Sequence, residues 1–159
     1  MSWTRKLLIC IVLMTVLAST APAWQAPGAE EPSVSDRVIQ QVLEPLRMGM
    51  QTRNIQLVLS VFDKKELDSY SNLQGQLRAF FQQFAEVNLR YQLLQVTAEN
   101  GRGSATVEMQ MDALPYEPPV QIAERRSVQM RLQLKLGAKG WKIAGYTPSD
   151  FFNVVYSPR

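Results

Sequence analysis

The side chains able to do chemistry in this chain are carboxylates, tyrosines and arginines. There is no histidine among the 159 residues, so the usual general base near neutral pH and the commonest metal ligand are both missing. A Ser-His-Asp triad and a histidine zinc site are thereby excluded. Cys10 is the only cysteine and sits in an apolar N-terminal run, so a chain that has lost that run has no thiolate for catalysis or metal binding. Acid-base work would fall to a carboxylate or a tyrosine. Asp112 lies late in an alternating strand but out of phase with Met109 and Met111, which assigns it to the wet face. Counting back by twos from Val128 places Arg126, Glu124, Ile122 and Val120 on the apolar face. Two readings of Glu124 and Arg126 follow. They form a charged lip for a ligand carboxylate or hydroxyl, or they mark a strand end emerging into solvent, paired with each other or reversed by a bulge. Met109, Met111 and Met130 share the inward face with Tyr91, Phe80 and Phe84. That set lines an adaptable apolar pocket or is plain core.

The elements that must position these residues are legible from periodicity. Val128, Met130, Leu132, Leu134 and Leu136 alternate with Gln129, Arg131, Gln133 and Lys135, the pattern of a strand wet on one face. Gly137 and Gly140 bracket a short turn that returns Trp141 and Ile143 beside that row. Upstream, Ala105, Val107, Met109, Met111 and Ala113 form a second alternating row, reached through the hairpin signal Asn100-Gly101. A strand before it changes phase between Leu93 and Leu94, which calls for a bulge. Leu114 to Pro119 holds three prolines and reads as an irregular rim.

Three helical stripes precede the strands. Val38, Ile39, Val42, Leu43 and Leu46 form the first, capped by Ser35 or Asp36, with Pro45 calling for a bend or a tail past Leu43. Glu44 and Arg47 lie off that stripe. Asn54 caps a second helix carrying Ile55, Val58, Leu59 and Phe62, and Leu73, Leu77, Phe80, Phe81 and Phe84 mark a third. A sheet wet on one face needs cover on the other, and the helices are the available cover. The expected fold class is α+β, with three N-terminal helices packed on the concave face of a curved four-stranded antiparallel sheet.

The first residues read as an export signal. Arg5 and Lys6 precede an apolar run from Leu7 to Leu17, and Ala21-Pro22-Ala23 supplies a small-x-small cleavage pattern. The expected organisation is a signal peptide over residues 1–23, a Pro/Gly-containing flexible linker over 24–34 and one domain over 35–159. The protein is then periplasmic or secreted. Contact with a membrane would come only through an uncleaved signal, and the run is shorter than the about 20 residues a spanning helix needs. Without residues 1–23 the chain carries 15 basic and 14 acidic side chains, which argues against a nucleic-acid binder.

Val58 to Asp63 (Val-Leu-Ser-Val-Phe-Asp) after a helical opening, long alternating strands, and the closing Gly140-Trp141-Lys142-Ile143 together resemble the nuclear transport factor 2-like (NTF2-like) superfamily. The likeness is to its SnoaL-like secreted bacterial branches and covers roughly Ser35 to Phe152. It implies a cone, a curved sheet wrapped over helices with a pocket opening between them. It also implies a range of roles, from isomerases and dehydratases to ligand carriers and interaction domains. An isomerase of this kind needs an inward carboxylate facing a donor such as tyrosine. The expectation is a non-catalytic domain without a cofactor, binding a small apolar ligand or a protein partner. A pocket enzyme of isomerase or dehydratase type is the alternative, as is a module self-associating as a homodimer through the wet sheet face bearing Arg90, Gln129, Arg131 and Gln133.

Overall fold

The computed structural model describes residues 32–116 and 123–153. The proposed signal, most of the linker, Val120, Ile122 and the tail Val154, Val155 and Tyr156 lie outside the described residues. Helix α1 (Val34–Val38) begins two residues earlier than a cap at Ser35 would start it and three earlier than one at Asp36. Ser33 is the cap. Its hydroxyl accepts from the Asp36 amide at 3.1 Å while the Asp36 carboxylate accepts from the Ser33 amide, a capping box in which Asp36 is the third residue of the turn.

Pro45 opens a helix rather than sitting inside one. A wide π turn over Ile39–Leu43 intervenes, closed by the Glu44 amide donating to the Ile39 carbonyl, and α2 (Glu44–Gln51) then starts with Pro45 in its first turn. There the missing N–H costs nothing, because the opening amides of a helix have no partner within it. The wide turn also delivers Gln41 to the sheet, where its Oε1 accepts from the Trp141 amide at 2.8 Å.

Asn54 caps α3 (Ile55–Ser60) through its side-chain oxygen, 3.1 Å from the Leu57 amide. The turn into α3 packs closely on α2. A Cβ on Gly49 would lie 2.7 Å from Val58 Cγ2 and 2.8 Å from its amide nitrogen, so only glycine allows this approach. Beyond α3, Phe62 bridges Ile143 in parallel: the Ile143 amide donates to the Val61 carbonyl and the Asp63 amide to the Ile143 carbonyl, both at 2.8 Å. Helix α4 (Tyr70–Gln83) then buries Leu73, Leu77, Phe80 and Phe81.

The chain closes with β1 (Phe84–Glu99), β2 (Arg102–Pro115), β3 (Glu124–Gly137) and β4 (Gly140–Thr147), an antiparallel meander in the order β1-β2-β3-β4. Asn100 (φ 50°) and Gly101 (φ 75°) make the expected two-residue turn between β1 and β2. The phase change in β1 is a bulge: the register shifts between Leu93 and Gln95, and Leu94 is left exposed. A second shift lies between Gln133 and Leu134 opposite β4. Such irregularities bend and twist a sheet, as a cone requires.

The inner face is continuous. Ala105, Val107, Met109, Met111 and Ala113 from β2, Met130, Leu132 and Leu134 from β3, and Trp141 and Ile143 from β4 are all buried in one core with the helical stripes. Leu136 departs from the expected row and is 46% exposed, because at the turn the sheet outruns its helical cover. Among the described residues no helix is long and apolar enough to cross a membrane.

Trp141 joins the β4 side of the core to the wide turn beneath it and is only 4% exposed. Replacing Trp141 by Ala is expected to lower unfolding stability by about 3–5 kcal/mol. Chemical denaturation would read this as a shifted midpoint at unchanged slope; a loss below about 1 kcal/mol would contradict a load at this position.

Candidate functional site

Glu124 and Arg126 are brought together at the start of β3. Arg126 donates from Nε at 2.8 Å and from Nη2 at 2.5 Å to one oxygen of Glu124. Its Nη1 donates to the carbonyls of Phe151 at 2.8 Å and Asn153 at 2.5 Å. The guanidinium also lies 5.7 Å from the centre of the Phe80 ring, within cation–π range. Four of its five donors are thus committed inside the protein. The mutual pairing anticipated for a strand end is present, with an addition the sequence did not signal: the carbonyls of the segment after β4. That segment, Pro148–Asn153, lies as a strap whose Phe151 and Phe152 are buried, their rings packed edge-to-face 5.1 Å apart, with Phe152 also against Tyr146.

The apolar candidates also meet. Phe80, Phe84, Met109 and Met111 are fully buried and Met130 is 1% exposed; Phe80 and Phe84 stack with centroids 4.7 Å apart. All five belong to the one buried core.

Tyr91 stands apart from them. Its hydroxyl leaves the core and donates to Oε1 of Glu44 on α2. The other carboxylate oxygen accepts from Arg47 Nε and Nη2 at 2.9 and 2.7 Å, and the chain of bonds continues through Gln51 to Asn88 on β1. Burial, then the hydrogen bond and charge of Glu44, push the Tyr91 hydroxyl well above its ordinary pKa. Arg47, followed by Tyr91, holds the Glu44 carboxyl below the usual range. This carboxylate–tyrosine pair is the nearest thing to acid-base machinery in the described residues. It is set for structure: an ionised carboxylate occupied on both oxygens is a poor base, and a phenol committed to it has no proton to offer a substrate. Sequence reasoning missed Glu44 because it lies off the apolar stripe; its three-residue spacing from Arg47 was the available signal.

Asp112 lies on the wet face as its phase dictates. It accepts from Arg125 at 2.7 Å and Arg90 at 2.6 Å, and Arg125 above all holds its carboxyl below the ordinary value. At the opposite end of the sheet Lys135 pairs with Glu66 at 2.5 Å, tying the loop after α3 to β3. Among the described residues no cluster of three or more His, Cys, Asp or Glu could hold a metal ion.

Neither a family model nor a curated relative matches the sequence. Solved structures do match in shape. A conserved protein from Planctomyces limnophilus superposes with a TM-score of 0.62 at 7% identity, over 70% of this chain and 92% of its own. An NTF2-like superfamily protein from Salmonella enterica gives 0.57 at 10% identity, covering 69% and 84%. The fold is nuclear transport factor 2-like. A ketosteroid isomerase-like protein from Erwinia carotovora, at 0.53 and 13% identity over 69% and 90%, shares the same NTF2-like cone. Identities this low speak for the fold alone.

Replacing Arg126 by Ala strands Glu124 and releases two carbonyls. The expected cost is roughly 2–3 kcal/mol, with hydrogen exchange accelerated at Phe151 to Asn153; unchanged exchange there would show that Arg126 does not hold the strap. Asp112 provides a pH signature. Its folded pKa is depressed, so its contribution is present above the unfolded value of about 3.9 and is lost as pH falls. Asp112→Asn should therefore lower stability at pH 7 and leave it little changed at the acid end, which flattens the acid limb of a stability–pH curve.

Proposed function

We propose that this chain is an exported, non-catalytic NTF2-like domain that binds a protein partner. The observation that carries the reading is the burial of Phe80, Phe84, Met109, Met111 and Met130, each no more than 1% exposed. Phe80 lies on α4 and the other four on the inner face of the sheet, so recognition is left to the rim and the outer face. The engagement of Glu124, Arg126, Glu44 and Tyr91 with one another and with backbone agrees with a role that transfers no proton. Export rests on Arg5, Lys6, the apolar run Leu7 to Leu17 and the Ala21-Pro22-Ala23 pattern. A small apolar ligand within the cone is the alternative occupant, held among the same buried side chains.

Two further readings each have an observation behind them. The Tyr91–Glu44 pair is the feature that favours an isomerase or dehydratase, and it would have to open before it met a substrate. Self-association is favoured by the outer face, where Arg90, Gln129, Arg131 and Gln133 are all exposed.

Native mass spectrometry of the purified exported protein separates these readings. The expected spectrum shows no copurified small molecule, and cross-linking in the producing cells then yields a heteromeric adduct. A stoichiometric bound small molecule would overturn the protein-partner reading, and a homodimer without any heteromeric adduct would favour self-association.

A further inference from the structure

β3 is paired with β2 from Glu124 to Lys135, but it meets β4 only from Arg131 onward, where Arg131 stands opposite Thr147. Glu124 to Met130 therefore turn a backbone edge toward space that no described strand fills. β4 ends at Thr147, and the chain leaves the sheet as the strap anchored by Arg126. Between strap and edge lies a cleft of about 270 Å³, lined by Glu124, Arg126, Val128, Pro148, Asp150 and Phe151. An open edge presents N–H and C=O groups that an extended peptide satisfies by adding a strand.

Size and charge narrow the occupant. The cleft is below the roughly 300–1,000 Å³ of ordinary small-molecule sites, so it suits one long side chain better than a whole ligand. Arg126 is spent on Glu124 and the strap, whereas the second oxygen of Glu124 and the carboxylate of Asp150 have no hydrogen-bond or ion-pair partner among the described residues. Val128, Pro148 and Phe151 supply apolar wall for a methylene stem, with the free carboxylate oxygens for its charged head. We propose that the open edge of β3 accepts an extended segment of a partner protein in the line of β4, with a lysine side chain seated in the cleft between Glu124 and Asp150. This rests on the protein-partner reading above and gives that partner a site.

The test uses synthetic peptides Thr-Val-Thr-X-Thr-Val-Thr with X as Lys, Ala or Glu, titrated into the purified protein by fluorescence anisotropy. The Lys peptide should bind about tenfold or more tighter than the Glu peptide. Asp150→Lys should remove that preference without moving the thermal melt, since Asp150 is exposed and its side chain is unpartnered. Methylating alternate backbone nitrogens along one edge of the peptide should abolish binding with the side chains unchanged. No binding by the Lys peptide, equal binding of Lys and Glu, or indifference to methylation would overturn the proposal. Binding that appears only after residues 154–159 are deleted would make the chain's own tail the occupant, and a homodimer split by Asp150→Lys would make it a second copy; either overturns it. A partner cross-linked equally to wild type and to Asp150→Lys would overturn this site and leave the interaction role standing.

Discussion

Every part of this molecule answers to one constraint: a sheet oily on one side and wet on the other has to be covered on one side only. Val107, Met109, Met111, Met130, Leu132 and Leu134 face the helices from adjacent strands, each 2% exposed or less. Full burial of such a side chain is worth about 1.5–3 kcal/mol, an upper figure because unfolded chains already hide part of their surface. An exposed ion pair such as Arg90–Asp112 is worth at most about 1 kcal/mol. The apolar rows therefore decide that the helices lie across the sheet, and the charges decide details at its borders. Leu136 marks where this rule ends: the strand pattern persists, the cover does not, and the side chain is left in water.

Polar contacts become decisive where elements without a regular ladder have to be attached. The strap after β4 has one described backbone hydrogen bond of its own, from the Asn153 amide to the Asp150 carbonyl. Phe151 and Phe152 supply its burial, and Arg126 supplies its position. Gln41 plays the corresponding part for the first helical body, reaching from the wide turn to the Trp141 amide. In both places a planar, multi-donor or multi-acceptor group on one element reads the backbone of another, which transmits geometry better than apolar contact does. Gly49 does the same by absence, letting α2 and α3 approach to a distance that a methyl group would forbid.

How much of this was legible in the sequence follows from the range of each signal. Alternation of period two is local, so the rows of β2 and β3, the Asn100-Gly101 turn and the bulge at Leu94 were all readable. So was the wet-face position of Asp112. The stripe of α4 was equally plain, and the resemblance to the cone followed from the order of these elements. The cap at Ser33 was missed because Ser35 and Asp36 offered the same chemistry two and three residues later, and only the backbone decides between them. The wide turn ahead of Pro45 was missed because inserting one residue in a helix leaves no compositional mark. The Tyr91–Glu44 pair and the Arg126 clasp were invisible for a stronger reason. Their partners are 47 and at least 25 positions apart, and each bond depends on how the sheet curves back over the helices.

The border between strap and sheet is where structure and recognition meet most closely. A side chain whose donors are spent internally has little left to offer a ligand, and Arg126 is of this kind. Its commitment nevertheless shapes what surrounds it: by taking one oxygen of Glu124 it leaves the other free, and by holding the Phe151 and Asn153 carbonyls it places Asp150 across the cleft. Two carboxylates therefore line this rim against the one guanidinium at its centre. A cation approaching along β3 meets unspent carboxylate oxygens, whereas an anion meets a guanidinium with a single donor remaining and three oxygens that repel it. Selectivity at this rim is therefore set by which atoms the fold leaves unpaired, more than by which residue types line it.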